Sequence, residues 1–191
     1  MPFIWLFILG FGFSSSINIP GLPYIGFLAP GIIGMIILFT SIFSGISVIY
    51  DRQFGFMKEI LVAPVSRSSI VLGKTFGGAT IATINGLIVL GISSALGFIE
   101  FGIGTFIAIP FMVLIAISFV AMGLIIASRM KSMEGFQMIM SFLVMPIFLL
   151  SGALFPLNNV PDAMRVISYL DPLSYGIDGI RGSLVGITNT D

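Results

Sequence analysis

Few residues in this chain are equipped for chemistry, and their types restrict what that chemistry is. Its 191 residues include no Cys and no His, which removes thiol nucleophiles, disulfides, imidazole bases and the usual zinc and haem ligands. Gly73-Lys74-Thr75 has the ending of a phosphate-binding loop, but G-x-x-x-x-G-K-[ST] needs glycine where Ser68 sits, and no strand precedes it. Nucleotide chemistry is therefore not expected on this chain, and no cofactor or metal site is expected either. What remains is eight Lys/Arg and eight Asp/Glu, 8% of the residues against roughly a quarter in a soluble domain. The two signs cancel, so no basic field points to nucleic acid. The charges cluster: Asp51, Arg52, Lys58, Glu59, Arg67 and Lys74 in one segment, Arg129 and Lys131 in a second, Asp162, Arg165, Asp171, Asp178 and Arg181 in a third.

The elements that position these clusters are apolar, since 57% of the chain is hydrophobic and the mean hydropathy is +1.16. Charge-free runs at 1–50, 75–99, 101–128 and 135–161 each meet or exceed the ~20 apolar residues that a helix needs to cross hydrocarbon. We read four complete spans, at Phe27–Ile49, Thr75–Phe98, Gly104–Ala127 and Phe136–Phe155. Backbone groups in lipid must find partners within their own segment, so such runs are helices; the alternating strands of a barrel are absent. Asn18, Pro20, Gly21 and Pro23 make a polar turn before the first span. Phe3–Phe13 is apolar but too short to cross, and reads as the end of a partial span or as a short interfacial or re-entrant helix. Six of the eight basic residues lie in the loops 51–74 and 128–135, which makes both loops cytoplasmic by the positive-inside rule. Two spans separate these loops, and parity agrees.

Along the first loop Phe54, Met57 and Leu61 recur at helical spacing, with Arg52, Lys58 and Glu59 elsewhere around the turn. Pro64 ends that helix, and Ser66 or Ser68 caps the next element. Such a helix either docks a partner or anchors the loop in lipid headgroups, and spacing does not choose between them. In the third cluster, 161–170 reads as a short amphipathic helix. Asp171-Pro172 then opens a second one, with Ser174, Asp178 and Arg181 on one stripe and Asp178 able to pair with Arg181. Phe142, Met145 and Phe148 line one side of the last complete span, as an apolar substrate path or as ordinary lipid-facing or core packing. Gly73/Gly77 and Gly182/Gly186 have the spacing that lets helices approach closely, at a frequency that chance explains in a chain with 23 glycines.

Arg52, Gly55, Glu59, Leu61, Pro64, Ser66, Gly73 and Lys74, at this spacing, resemble the permease subunits of the ABC type-2 transporter family. The resemblance continues in PGIIGM at Pro30–Met35 and in FPLNNVPDAMRVISYLDPLSYGIDGIRG at Phe155–Gly182. It implies an all-α polytopic transmembrane helical bundle: four complete spans, a partial N-terminal span and an external re-entrant helical hairpin, as one permease domain over 1–191. The family has six spans, so the chain is expected to be a fragment lacking the start of span one and span six. It implies a coupling helix at Arg52–Val62, with Arg52, Gly55, Lys58, Glu59, Leu61 and Pro64 meeting a separate ABC ATPase subunit that carries the ATP-Mg. It also implies an outer hairpin or gate involving Asp171, Pro172, Tyr175, Asp178 and Arg181, a second permease copy or paralogue, a lipid surround in the cell membrane, and export as the function. A secondary transporter or channel, or a scaffold that moves nothing, is the alternative from composition alone.

Overall fold

Among the described residues, four helices are long and apolar enough to cross a membrane: Tyr24–Gln53, Arg67–Ala95, Ile103–Arg129 and Met133–Leu150. The computed structural model describes residues 2–14, 23–62, 64–156 and 161–186. In chain order the helices are α1 (Pro2–Gly12), α2 (Tyr24–Ser44), α3 (Ile46–Gln53), α4 (Phe56–Val62), α5 (Arg67–Ala95), α6 (Ile103–Arg129), α7 (Met133–Leu150), α8 (Asp162–Leu170) and α9 (Pro172–Val185), and the described residues contain no strand. The all-α bundle of four spans expected from the charge-free runs is observed.

The span boundaries follow caps rather than charges. α5 begins eight residues before Thr75, because Ser66 is its N-cap and accepts from the Ser69 amide at 3.1 Å. The first span starts at Tyr24 and runs on through Gly45, whose backbone is helical, into α3. The last span stops at Leu150 rather than Phe155. There the Ser151 hydroxyl turns back to the Phe148 carbonyl at 2.7 Å, and Gly152 takes φ +70°, a left-handed conformation that ends a helix readily with glycine. Residues 151–154 are thereby a buried turn inside the bundle. Phe3–Phe13 forms α1, which packs on α2 through Leu6 and Gly10. Asn18, Pro20 and Gly21 of the expected turn lie outside the described residues.

α2 is the central helix: 14 of its 21 residues are buried, among them Phe27, Ile33, Ile37 and Ile42, and it touches α1, α5, α6, α7 and α9. α7 buries only Phe136, Met140, Val144 and Phe148, one edge at four-residue spacing, and so stands at the periphery. The tight contacts are made over glycine. A Cβ on Gly123 of α6 would lie 2.5 Å from the Ile42 carbonyl oxygen, and one on Gly45 would lie 2.5 Å from the Gly123 carbonyl oxygen, so these backbones touch. Gly73 and Gly77 meet nothing, as does Gly186, which instead caps α9 at φ +72°. The G-x-x-x-G spacing thus marks neither of the close crossings named here.

Candidate functional site

The first loop folds as two helices. The family resemblance implies one helix through Arg52–Val62, but α3 ends at Gln53 and Gly55 adopts φ +85°, so the amphipathic helix is the shorter α4. Arg52 belongs to α3 and, though exposed, reaches across to the end of α6: its guanidinium donates to the carbonyls of Met130 at 2.9 Å and Ser128 at 3.0 Å, while Gln53 donates to that of Lys131 at 3.4 Å. These are C-terminal carbonyls of α6 and the loop behind it, which a cation satisfies well. Lys74 pairs with Asp51 at 2.5 Å, tying α5 to α3. On α4, Met57 is half-buried and lines a recess of about 190 Å³ with Val48, Ile70 and Leu124, whereas Phe56, Lys58 and Glu59 are exposed. Phe54 is exposed as well, stacked on Tyr50 with ring centres 5.9 Å apart. Pro64 follows α4 on the surface, and the side chain of Leu61 lies outside the described residues.

The second constellation is the α8–α9 hairpin. α9 runs antiparallel to α6: Ser183 lies beside Gly104, Gly179 against Phe111 and Gly176 against Ile115. α9 opens as its sequence requires, with Asp171 as N-cap accepting from the Leu173 amide at 2.9 Å and Pro172 at the first position. Burial pushes the Asp171 carboxyl up to about 6, against the hydrogen bond from the Leu173 amide that lowers it. The stripe Ser174, Asp178 and Arg181 faces inward, all three residues being buried. Arg181 is fully enclosed: it pairs with Asp178 at 3.1 Å, donates to the Gly152 carbonyl at 2.9 Å, and lies 3.9 Å over the Phe27 ring. The i,i+3 pair was legible in the sequence; the Phe27 face and the Gly152 carbonyl were not, since both are distant in the chain. Tyr175 is exposed and its hydroxyl donates to the Tyr169 carbonyl at 2.8 Å, across the hairpin. The Ser168 hydroxyl fastens α8 to the Leu150 carbonyl, and Val166, Ile167 and Leu170 are exposed. The side chain of Asp162 is outside the described residues.

Of the three aromatic and methionine residues on α7, Met145 and Phe148 line an apolar cavity of about 580 Å³ between α1, α2 and α7, together with Trp5, Met35 and Phe39. Phe142 is 79% exposed and does not line that cavity. The hydroxyl of Thr40 is one of the few polar groups there.

Comparison with known proteins agrees with this architecture. Residues 1–185 match the ABC-2 type transporter family. Nodulation protein J of Rhizobium meliloti (strain 1021) is 30% identical over 188 residues, covering 97% of this chain and 71% of that protein. Nodulation protein J of Rhizobium leguminosarum bv. trifolii is 28% identical over the same shares. The inner membrane transport permease YadH of Escherichia coli (strain K12) is 28% identical over 171 residues, 88% of this chain and 66% of the permease. With a family match across nearly its full length on a bundle of four membrane-length helices, this chain belongs to the ABC-2 type transporter family.

Proposed function

We propose that the chain is the membrane-spanning permease subunit of an ATP-driven exporter, moving its substrate with energy from ATP hydrolysed by a separate ATPase subunit docked on the 51–74 loop. The observation that carries this reading is α4: a helix hinged at Gly55, seated on the bundle through Met57, and presenting Phe56, Lys58 and Glu59 outward. Its face of the bundle holds six of the eight basic residues, which the positive-inside rule assigns to the cytoplasm, where ATP is available. Arg52 and Lys74 join α3 to α5 and to the end of α6, so a push on α4 reaches three spans through fixed contacts. Closure of an ATPase pair would then rock the spans between inward-facing and outward-facing states. In this reading two permease copies or paralogues form the transporter, the α8–α9 hairpin sits at the outer end, and the cavity beside Met145 and Phe148 lies on the path of an apolar substrate.

The test is co-expression with the candidate ATPase, purification through the permease, and measurement of ATP turnover with and without it. We expect stable recovery of the ATPase and a change in its turnover. Glu59→Lys should lower recovery about tenfold, the loss of one charge-assisted contact, while helicity and thermal unfolding of the permease stay as in the wild type. Failure of wild-type permease to retain or affect any ATPase would defeat the exporter reading; normal coupling by Glu59→Lys would remove Glu59 from the contact.

A further inference from the structure

Two recesses open at the start of α5 and share Arg67 and Val71. One, of about 190 Å³, runs inward to Lys74, Ile70 and Leu124; the other, of about 440 Å³, is a shallow depression open to the surroundings beside Ser68 and Leu72. Their walls follow from helix geometry: Arg67, Val71 and Lys74 are spaced i, i+4, i+7 on one face, and Ser68 and Leu72 form the adjoining row. The result is an amphiphilic groove with a cation and a hydroxyl at its outer end and branched aliphatic side chains below.

The level of this groove is also fixed. Val71 and Leu72 are 55% and 54% exposed, and Phe76, one turn further in, is 57% exposed. On a membrane-length helix the uninterrupted exposed apolar surface begins at Val71, after the last exposed charge, which puts Arg67, one turn or about 6 Å before it, at the headgroup level. The Lys74 ammonium is held by Asp51 and the Arg52 guanidinium by α6 carbonyls, whereas the Arg67 side chain makes no ion pair or hydrogen bond among the described residues. The 51–74 segment carries four basic residues against two acidic ones, and Asp51 is engaged by Lys74, so the surroundings favour a net anion over a zwitterion.

We propose that this groove binds one anionic phospholipid of the adjacent leaflet, with its phosphate on Arg67 and Ser68 and the start of an acyl chain along Val71 and Leu72. The lipid would wedge against the recess in which Met57 of α4 is seated, so that its occupancy bears on the position of α4. The assignment requires α5 to cross the membrane and does not require an ATPase to dock here.

The test uses the purified chain alone in mixed micelles containing equal amounts of phosphatidylglycerol and phosphatidylcholine with matched acyl chains, read by native mass spectrometry. Wild-type protein should retain phosphatidylglycerol about tenfold over phosphatidylcholine, the effect of one charge-assisted contact. Arg67→Ala should abolish that preference, Ser68→Ala should reduce it, and Gly77→Ala, at a position open to space, should leave it intact. Equal retention of the two lipids by wild-type protein, or a wild-type preference in Arg67→Ala, would overturn the proposal. Inorganic phosphate at the lipid concentration should not displace the lipid; displacement would overturn the acyl-chain half of the assignment. If Arg67→Ala fails to fold, the wild-type and Ser68→Ala measurements decide the matter. With no ATPase present, a failure here is separate from failure of the coupling reading.

Discussion

Arg181 is the residue on which the hairpin depends. A guanidinium with no exposure to solvent is tolerable only when its charge and most of its donors are met, and here Asp178, the Gly152 carbonyl and the Phe27 ring supply a carboxylate, a dipole and a π face, leaving Nε alone on that side chain without a hydrogen-bond partner among the described residues. These contacts come from α9, from the turn after α7 and from α2, so one side chain fixes three elements. Replacing it with Met keeps most of the volume and removes the counter-cation of a buried carboxylate. We expect Arg181→Met to lower stability by about 3–5 kcal/mol, seen as an earlier thermal unfolding in detergent. Adding Asp178→Asn should recover a substantial part, because the buried charge is then gone on both sides. A double variant as unstable as Arg181→Met would show that packing on Phe27, not charge, carries the effect. At this scale the sequence spacing disclosed the pair and its stripe, while inward or outward orientation depended on α2 and the 151–154 turn, which no local pattern encodes.

Among the elements, the helices were legible and their crossings were not. Long charge-free runs can satisfy their backbone only as helices, which is why the four spans are visible in the sequence, while amphipathic spacing discloses α8 and the Asp171-Pro172 cap discloses the start of α9. Ends are set by single residues: Ser66 lengthens α5, Gly152 shortens α7, and Gly55 cuts the expected 52–62 helix in two. Crossings depend on which glycines face a neighbour. Gly123 lies in contact with Ile42 and Gly45, whereas Gly77 faces open space despite its place in a G-x-x-x-G pattern. Gly123→Ala should force α2 and α6 apart and cost about 1–3 kcal/mol. Gly77→Ala, also in a helix interior, should instead stabilise by about 0.5–1 kcal/mol through helix propensity. Thermal unfolding of both variants in one detergent checks the contrast; equal effects would mean that the Gly123 crossing is looser than its geometry indicates.

The orientation of the whole molecule rests on six basic residues and on parity. α5 and α6 separate the 64–66 connection from the 130–132 loop, so these must share a side, and the 96–102 connection between α5 and α6 must lie on the other. Arg52 and Gln53 reach the 128–131 carbonyls directly, which is possible only if both loops are at one end of the bundle. Because the chain contains no cysteine, single cysteines can be placed without background. Val65, Glu100 and Lys131 are all exposed, and an impermeant maleimide reaches only the side to which it is added. Val65→Cys and Lys131→Cys should react in inside-out vesicles and stay unlabelled in intact cells, and Glu100→Cys should do the reverse. Reaction of all three from one side would contradict the bundle itself. A clean inversion would leave the fold intact but move α4 away from cytoplasmic ATP, and the exporter reading would fall with it. The two sets of labels therefore separate an error in the architecture from an error in the orientation that the coupling reading needs.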